Sequence, residues 1–162
     1  LFRSMPRVTR YKYSKPLRHI MDNYMLKCYS SNPYVHFYAL TVSPRNPDTD
    51  IFEVIKSVKD LFKICKNVLS VRYVIEKSPK GKDHIHGILC CRNKSKFMKI
   101  RRHPVCHFQI DPFESEGWVG YMGKGHPDIC YGMYYNEGKL IIPEHKLDWY
   151  LIDDTDSESG DD

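Results

Sequence analysis

The segment between residues 70 and 91 constrains the fold of this chain more than any other. Its first part, Ser70–Lys77, and its last part, Asp83–Cys91, are rich in β-branched, aromatic and other apolar residues. Between them lies Ser78-Pro79-Lys80-Gly81-Lys82, which is typical of a turn because Pro and Gly interrupt strands and favour turn conformations. The segment therefore predicts a hairpin of two antiparallel strands.

Two histidines lie one residue apart in the second strand of this hairpin. Successive side chains of a strand point to opposite faces, so His84 and His86 share one face while Ile85 points to the other. Neutral imidazole nitrogens are common ligands of divalent metals, and the pair therefore predicts half of a metal site. Taken alone, the pattern fits equally well two histidines that bind nothing.

Glu76 is the expected third ligand. It precedes His84 by eight residues across the turn, so antiparallel pairing brings its carboxylate to the face of the two histidines. A metal held by two nitrogens and one carboxylate keeps some of its coordination positions open. At an open position the metal can bind and polarise a phosphate oxygen. The alternative is an exposed strand residue, or a partner of Lys82.

The spacing of apolar, capping and turn residues in the rest of the chain predicts an α+β fold. We expect a central, mostly antiparallel sheet of about five strands, ferredoxin-like or RRM-like, flanked by helices. Asp50 and Glu53 form a capping-box pattern before a helical run that ends near Cys65. The other expected elements are strands at Val35–Val42 and Val105–Ile110, a helix at Phe113–Lys124 with Pro112 at its start, and short helices around Leu17–Tyr29 and Phe97–Ile100.

Charge divides the chain into three parts. We expect a basic arm at residues 1–33, one domain at 34–152, and an acidic tail at 153–162 that is disordered or mimics DNA. The chain carries a formal charge of +5 despite that tail, which favours a nucleic-acid partner, although a basic protein without one remains open. No apolar run is long enough for a membrane span, and no secretory signal is evident, so we expect an intracellular protein and no membrane partner.

The six cysteines show no regular spacing and are expected to be reduced thiols. A structural zinc site is disfavoured, because only the spacing of His103 and His107 resembles that of a zinc finger.

A second group of candidate residues lies on the helix predicted near residue 120. Tyr121 and Lys124 are three residues apart, so on a helix they share a face. A tyrosine hydroxyl is a poor nucleophile at its ordinary pKa of about 10. Its attack becomes feasible when a metal activates the phosphate and an ammonium offsets nearby negative charge.

Taken together, these motifs resemble those of the HUH endonucleases, and within them the replication initiator (Rep) proteins of rolling-circle plasmids and circular single-stranded DNA viruses. Phe37-Tyr38-Ala39-Leu40-Thr41 looks like their first, aromatic-led motif. His84-Ile85-His86, with Glu76 on the preceding strand, is similar to their metal motif, and Tyr121-Met122-Gly123-Lys124 to their Tyr-x-x-Lys motif. The resemblance spans residues 35–125.

The resemblance implies a metal-dependent, site-specific endonuclease and strand transferase acting on single-stranded DNA. Glu76, His84 and His86 would hold Mn²⁺ or Mg²⁺, and Tyr121 would attack the phosphorus to form a 5′-phosphotyrosine link that a 3′-hydroxyl can later reverse. Lys124 would help to position the metal and its ligands or offset charge. The residues assigned to DNA contact are Phe37, Tyr38, Thr41, Lys80, Lys82, Arg101 and Arg102.

Two departures from the family affect the expected partners. Many viral relatives have Gln as the second residue of the metal pair, whereas His86 is closer to the plasmid type. Gly123-Lys124-Gly125 does not form the phosphate-binding loop of a helicase, because no Ser or Thr follows the lysine. The expected partners are therefore an origin hairpin of single-stranded DNA and a separate helicase, unless a helicase domain lies outside this sequence. We expect location in the host nucleus for a viral protein, or in the cytoplasm or an organelle for a plasmid-borne one.

Three alternatives stay open at this point. A relaxase or transposase of the same superfamily shares the chemistry in another biological setting. A metal-dependent hydrolase would use water and would not need Tyr121. An RRM-like nucleic-acid-binding module without catalysis would stack bases on strand aromatics such as Phe37, Tyr38 and Tyr73.

Overall fold

The computed structural model describes residues 35–77, 82–113, 117–124 and 127–146. In chain order the elements are β1 (His36–Pro44), α1 (Ile51–Ile64), β2 (Val68–Lys77), β3 (Asp83–Cys91), a 3₁₀ helix (Ile100–Arg102), β4 (Cys106–Pro112), α2 (Gly117–Met122), β5 (Ile129–Asn136), β6 (Lys139–Ile141) and β7 (Glu144–Lys146). The predicted basic arm, the helix at 17–29, the acidic tail and most of the hairpin turn lie outside the described residues.

The strands form one antiparallel sheet in the order β4-β1-β3-β2-β5-β6. The short strand β7 pairs with the first residues of β5, and β6 pairs with its last residues. β3 lies between β1 and β2, so the strand that carries the two histidines is held along both edges. The predicted α+β class and antiparallel sheet are confirmed.

Each face of the sheet has its own apolar core. On the α1 face, Val54, Val58 and Leu61 pack against sheet residues that include Tyr73 and Ile85. Asp50 caps this helix as predicted, because its carboxylate accepts the backbone N–H of Glu53 at 3.0 Å.

On the α2 face, Val119 and Met122 pack against Phe37, Val74 and Ile88. Val74 lies two residues before Glu76 on β2, so their side chains share a face, and Ile88 lies two residues after His86 on β3, also on that face. The candidate metal ligands therefore continue the rows of side chains that α2 covers.

The structure differs from the sequence prediction after the fourth strand. Pro112 is the last residue of β4 rather than the start of a helix, and it pairs with Tyr38 of β1. β4 is at the edge of the sheet, where a residue without an N–H is tolerated. The described part of the next helix begins at Gly117.

The structure also differs before the fourth strand, where the short helix expected at Phe97–Ile100 is a 3₁₀ helix at Ile100–Arg102.

Two further observations bear on the sequence predictions. The five cysteines within the described residues are free, as expected for reduced thiols. Neither α1 nor any other helix in the described ranges combines the length and the apolar character that crossing a bilayer requires.

Candidate metal centre

The hairpin register brings the three predicted ligands to one face. Glu76 on β2 lies directly opposite His84 on β3. His86 is flanked by Val74 on one neighbouring strand and by Thr41 on the other. Because paired residues of antiparallel strands share a face, all of these side chains lie on the α2 face of the sheet.

The donor atoms converge closely enough to share one ion. The Nε2 atoms of His84 and His86 are 2.9 Å apart. Glu76 Oε2 lies 3.2 Å from Nε2 of His86 and 3.9 Å from Nε2 of His84. Donors that bind one ion at right angles through bonds of about 2.1 Å lie about 3.0 Å apart. The Glu76–His84–His86 cluster could therefore hold a metal ion.

An unsatisfied oxygen gives independent support to this fit. Glu76 Oε2 is buried and has no hydrogen-bond partner, although it faces both imidazoles. A buried carboxylate oxygen without a partner is costly, because it has lost its hydration without gaining a hydrogen bond. A cation between Glu76 and the histidines would satisfy it.

Burial keeps His86 in the neutral state that a metal ligand needs. The residue is 5% exposed. Burial, together with the nearby charges of His84 and Lys124, lowers its pKa to about 4. Protons therefore compete poorly with a cation for Nε2 of His86 at neutral pH.

Thr41 lies at the other nitrogen of the His86 imidazole. Its hydroxyl oxygen lies 3.2 Å from Nδ1 of His86. Since Nε2 faces Glu76 and His84, a ligand role for Nε2 places the imidazole proton on Nδ1, and the hydroxyl of Thr41 can accept it. Thr41 was assigned to DNA contact, and the structure shows its hydroxyl beside His86, one of the candidate metal ligands.

Tyr121 lies beside this centre. It is on α2, and its ring meets the ring of His86 edge-on at a centroid distance of 5.1 Å. The tyrosine side chain is 44% exposed, so a large substrate can reach it. The helix that carries Tyr121 therefore packs on the same side of the sheet as the predicted ligands.

Lys124 follows α2 rather than forming part of it. The helix ends at Met122, and the N–H of Lys124 donates to the carbonyl of Tyr121 at 3.2 Å. Its ammonium lies 5.3 Å from the centroid of the Tyr121 ring. The expected proximity of the two side chains is observed, although a turn and not a helical face produces it.

Sequence reasoning missed Trp118. Its indole N–H donates to the carbonyl of Gly87, the residue after His86, at 2.8 Å. The indole stacks on the ring of Tyr121, with centroids 5.3 Å apart and planes at 21°. The available signal was its spacing of three residues from Tyr121, which places both rings on one helical face.

The structure separates the residues predicted to contact DNA. Phe37 is 4% exposed and packs in the core of the α2 face, whereas Tyr38 is 6% exposed and packs on the α1 face. DNA cannot reach either ring without opening the core, and the same holds for Tyr73. This burial disfavours the predicted contacts of Phe37 and Tyr38 with DNA, and it also disfavours base stacking on these aromatics.

The predicted basic contacts lie in several places. Lys82 directly precedes β3, and Lys80 lies outside the described residues. Arg101 and Arg102 are exposed on the 3₁₀ helix, whose Ile100 packs into the core of the α1 face. The structure therefore does not bring these two arginines together with the metal ligands.

Among the described residues, Glu76, His84 and His86 form the single group of three or more His, Cys, Asp or Glu side chains that could hold a metal. Comparison with known proteins adds no identification, because no protein-family model and no curated protein matches the chain.

Proposed function

We propose that this protein nicks and rejoins single-stranded DNA as a rolling-circle replication initiator. Tyr121 is the nucleophile, and Glu76, His84 and His86 hold the Mn²⁺ or Mg²⁺ ion. The observation that supports this most strongly is the contact of Tyr121 with His86, which joins a potential nucleophile to a potential metal centre. A hydrolase that activates water would need the cluster but would give no reason for an accessible tyrosine beside it.

The donor set suits the proposed cations. Two neutral imidazoles and one carboxylate bind Mn²⁺ readily, while Mg²⁺ prefers oxygen and would rely more on Glu76 and water. When bound, the cation supplies Lewis-acid polarisation of a phosphate oxygen. The residues of the chain determine where the phosphate lies and which oxygen attacks it.

In the proposed reaction, the phenolic oxygen of Tyr121 forms a bond to phosphorus and the bond from phosphorus to the 3′ oxygen breaks. The tyrosine loses its proton and the departing 3′ oxygen takes one up, so the products are a 3′-hydroxyl and a 5′-phosphotyrosine. The ammonium of Lys124, beside the ring, offsets the negative charge that builds up at the reacting centre during attack. A later 3′-hydroxyl reverses the step and rejoins the strand without an external energy source.

The proposal also covers partners and location. The substrate is single-stranded DNA presented by an origin hairpin, and duplex unwinding is supplied by a separate helicase or by a helicase domain outside this sequence. The protein then acts inside the cell, in the host nucleus if the DNA is viral and in the cytoplasm or an organelle if it is a plasmid.

The direct test is capture of the covalent intermediate. The protein is incubated with a labelled pool of single-stranded hairpin oligonucleotides and Mn²⁺, then resolved on a denaturing gel. We expect a protein–DNA band that EDTA abolishes and that Tyr121→Phe lacks. Tyr135→Phe is the matched control, because Tyr135 is 40% exposed and Tyr121 44%.

Two results would overturn the proposal. One is the absence of any adduct across the pool, and the other is an undiminished adduct in Tyr121→Phe. Cleavage without a covalent band would instead indicate a hydrolase that uses water as nucleophile.

A further inference from the structure

The helix that carries Tyr121 has little stability of its own. The described part of α2 contains six residues, fewer than an isolated helix needs in water, so its position depends on packing. Val119 and Met122 are buried in the core of the α2 face. Such apolar contacts are non-directional, and by themselves they allow the helix to shift or rotate over the sheet.

Trp118 adds a directional link to this packing. The hydrogen bond from its indole N–H to the carbonyl of Gly87 joins α2 to β3 at the residue next to His86. Hydrogen bonds weaken steeply when their geometry is distorted, so this bond fixes the helix relative to the strand of His84 and His86.

The same indole also orients the tyrosine ring. Trp118 and Tyr121 stack almost in parallel, and both rings meet His86 edge-on, with interplanar angles of 80°. Because Tyr121 is 44% exposed, the core does not enclose its ring. The ring of Tyr121 packs against the rings of Trp118 and His86. Of these two, His86 is a candidate metal ligand and Trp118 is not.

We propose that Trp118 is the positioning residue for Tyr121, holding the phenol at a defined place relative to the metal ligands. This inference rests on the proposed function, in which the phenolic oxygen must meet a phosphate held at the Glu76–His84–His86 cluster. Misplacing a reacting group by about 1 Å can cost about 100-fold in rate, so a residue that holds the ring in place has a large effect on the chemical step.

The kinetic test separates positioning from stability. Trp118→Phe keeps an aromatic ring for stacking but removes the N–H donor, and Trp118→Leu removes both. We expect the single-turnover rate of adduct formation to fall about 10- to 100-fold in Trp118→Phe and further in Trp118→Leu. The affinity for the oligonucleotide should change by less than about twofold, because the interaction lost acts on the reacting geometry.

Val119→Ala is the matched control, because it removes buried packing from the same helix and leaves the Trp118 hydrogen bond intact. At a temperature well below the melting transition of each variant, we expect its rate to stay within about threefold of wild type. Equal rate losses in Val119→Ala and Trp118→Phe would assign Trp118 a merely structural role and overturn the inference.

A spectroscopic measurement tests the positioning without activity. The protein is labelled with 3-fluorotyrosine, and the ¹⁹F resonance of Tyr121 is assigned by its loss in Tyr121→Phe. We expect this resonance to broaden or split in Trp118→Phe and Trp118→Leu, because the phenol is no longer held in one place, and to stay a single sharp line in Val119→Ala. A single sharp resonance in both Trp118 variants would overturn the inference even if the wild-type protein forms the adduct. A broadened or split resonance in the Trp118 variants, combined with a wild-type protein that forms no adduct, would retain the positioning and reject the proposed function.

Discussion

The hydroxyl of Thr41 lies 3.2 Å from Nδ1 of His86, on the side of the imidazole opposite to the nitrogen that faces Glu76 and His84. The two residues are direct partners on β1 and β3, so the backbone register holds this contact in place. A hydrogen bond at the distal nitrogen fixes the tautomer of a histidine ligand and raises its basicity. The contact therefore links the first strand to the candidate metal centre.

Thr41→Val should weaken metal binding. Valine has nearly the same shape as threonine and suits a strand, but it cannot accept the Nδ1 proton of His86. We expect the dissociation constant for Mn²⁺, measured by isothermal titration calorimetry, to rise about 10- to 100-fold. Thr41→Ser keeps the hydroxyl and should bind nearly as tightly as wild type. Wild-type affinity in Thr41→Val would show that the contact does not support the ligand.

Mn²⁺ should stabilise the folded protein through His84. At a free concentration of about 100 times the dissociation constant, a ligand that binds only the native state adds about 2.7 kcal/mol to the free energy of unfolding. We expect the melting temperature to rise by several degrees with Mn²⁺, to return with EDTA, and to be unaffected by Mn²⁺ in His84→Ala. His107→Ala is the control, because His107 is an exposed histidine on β4 outside the cluster. A metal-induced rise that survives in His84→Ala would place the bound ion elsewhere.

The metal-free protein should lose stability in mild acid because of His86. Burial, followed by the charges of His84 and Lys124, lowers the pKa of this histidine to about 4, against 6.5 when unperturbed. As the pH falls below 6.5, the unfolded chain takes up a proton that the folded protein does not, so the unfolding free energy decreases until the pH reaches about 4.

Urea denaturation in the presence of a chelator measures this effect. Between pH 7 and pH 5 we expect the wild-type protein to lose about 2 kcal/mol of unfolding free energy beyond the loss seen in His86→Gln, which has no imidazole to titrate. The comparison concerns the pH slopes and not the absolute stabilities. Parallel slopes in the two proteins would show that His86 titrates alike when folded and unfolded.

The local parts of the site were predictable from the sequence, and the reason is the short turn of the hairpin. Alternation along a strand places His84 and His86 on one face, and a hairpin register extends that face to Glu76 without reference to distant residues. The N-cap at Asp50 was predictable for the same reason, since capping depends on the next three residues.

The long-range parts were not predictable in this way. The contact of Tyr121 with His86 depends on how α2 packs on the sheet, which no short spacing determines. The sequence is compatible with Phe37 and Tyr38 either exposed on the sheet surface or buried in the core. Both are buried because a helix covers each face of the sheet. The additional strands β6 and β7 are three residues each, too short to produce a clear alternating pattern.

Gly87→Ala should be strongly destabilising, because the position has no room for a side chain. A Cβ atom there would lie 2.6 Å from the carbonyl oxygen of Arg72 on the neighbouring strand, which is backbone and cannot rotate away. We expect a loss of at least about 2 kcal/mol in the free energy of unfolding, measured with urea. Gly138→Ala is the comparison, since Gly138 has open space but a φ of +80°, and its cost should be the backbone strain of about 1 kcal/mol.

Because the carbonyl of Gly87 also accepts the Trp118 N–H, a folded Gly87→Ala protein should show slower adduct formation as well, whereas Gly138→Ala should not. Equal stability of the two variants would mean that β2 and β3 can separate enough to admit a methyl group.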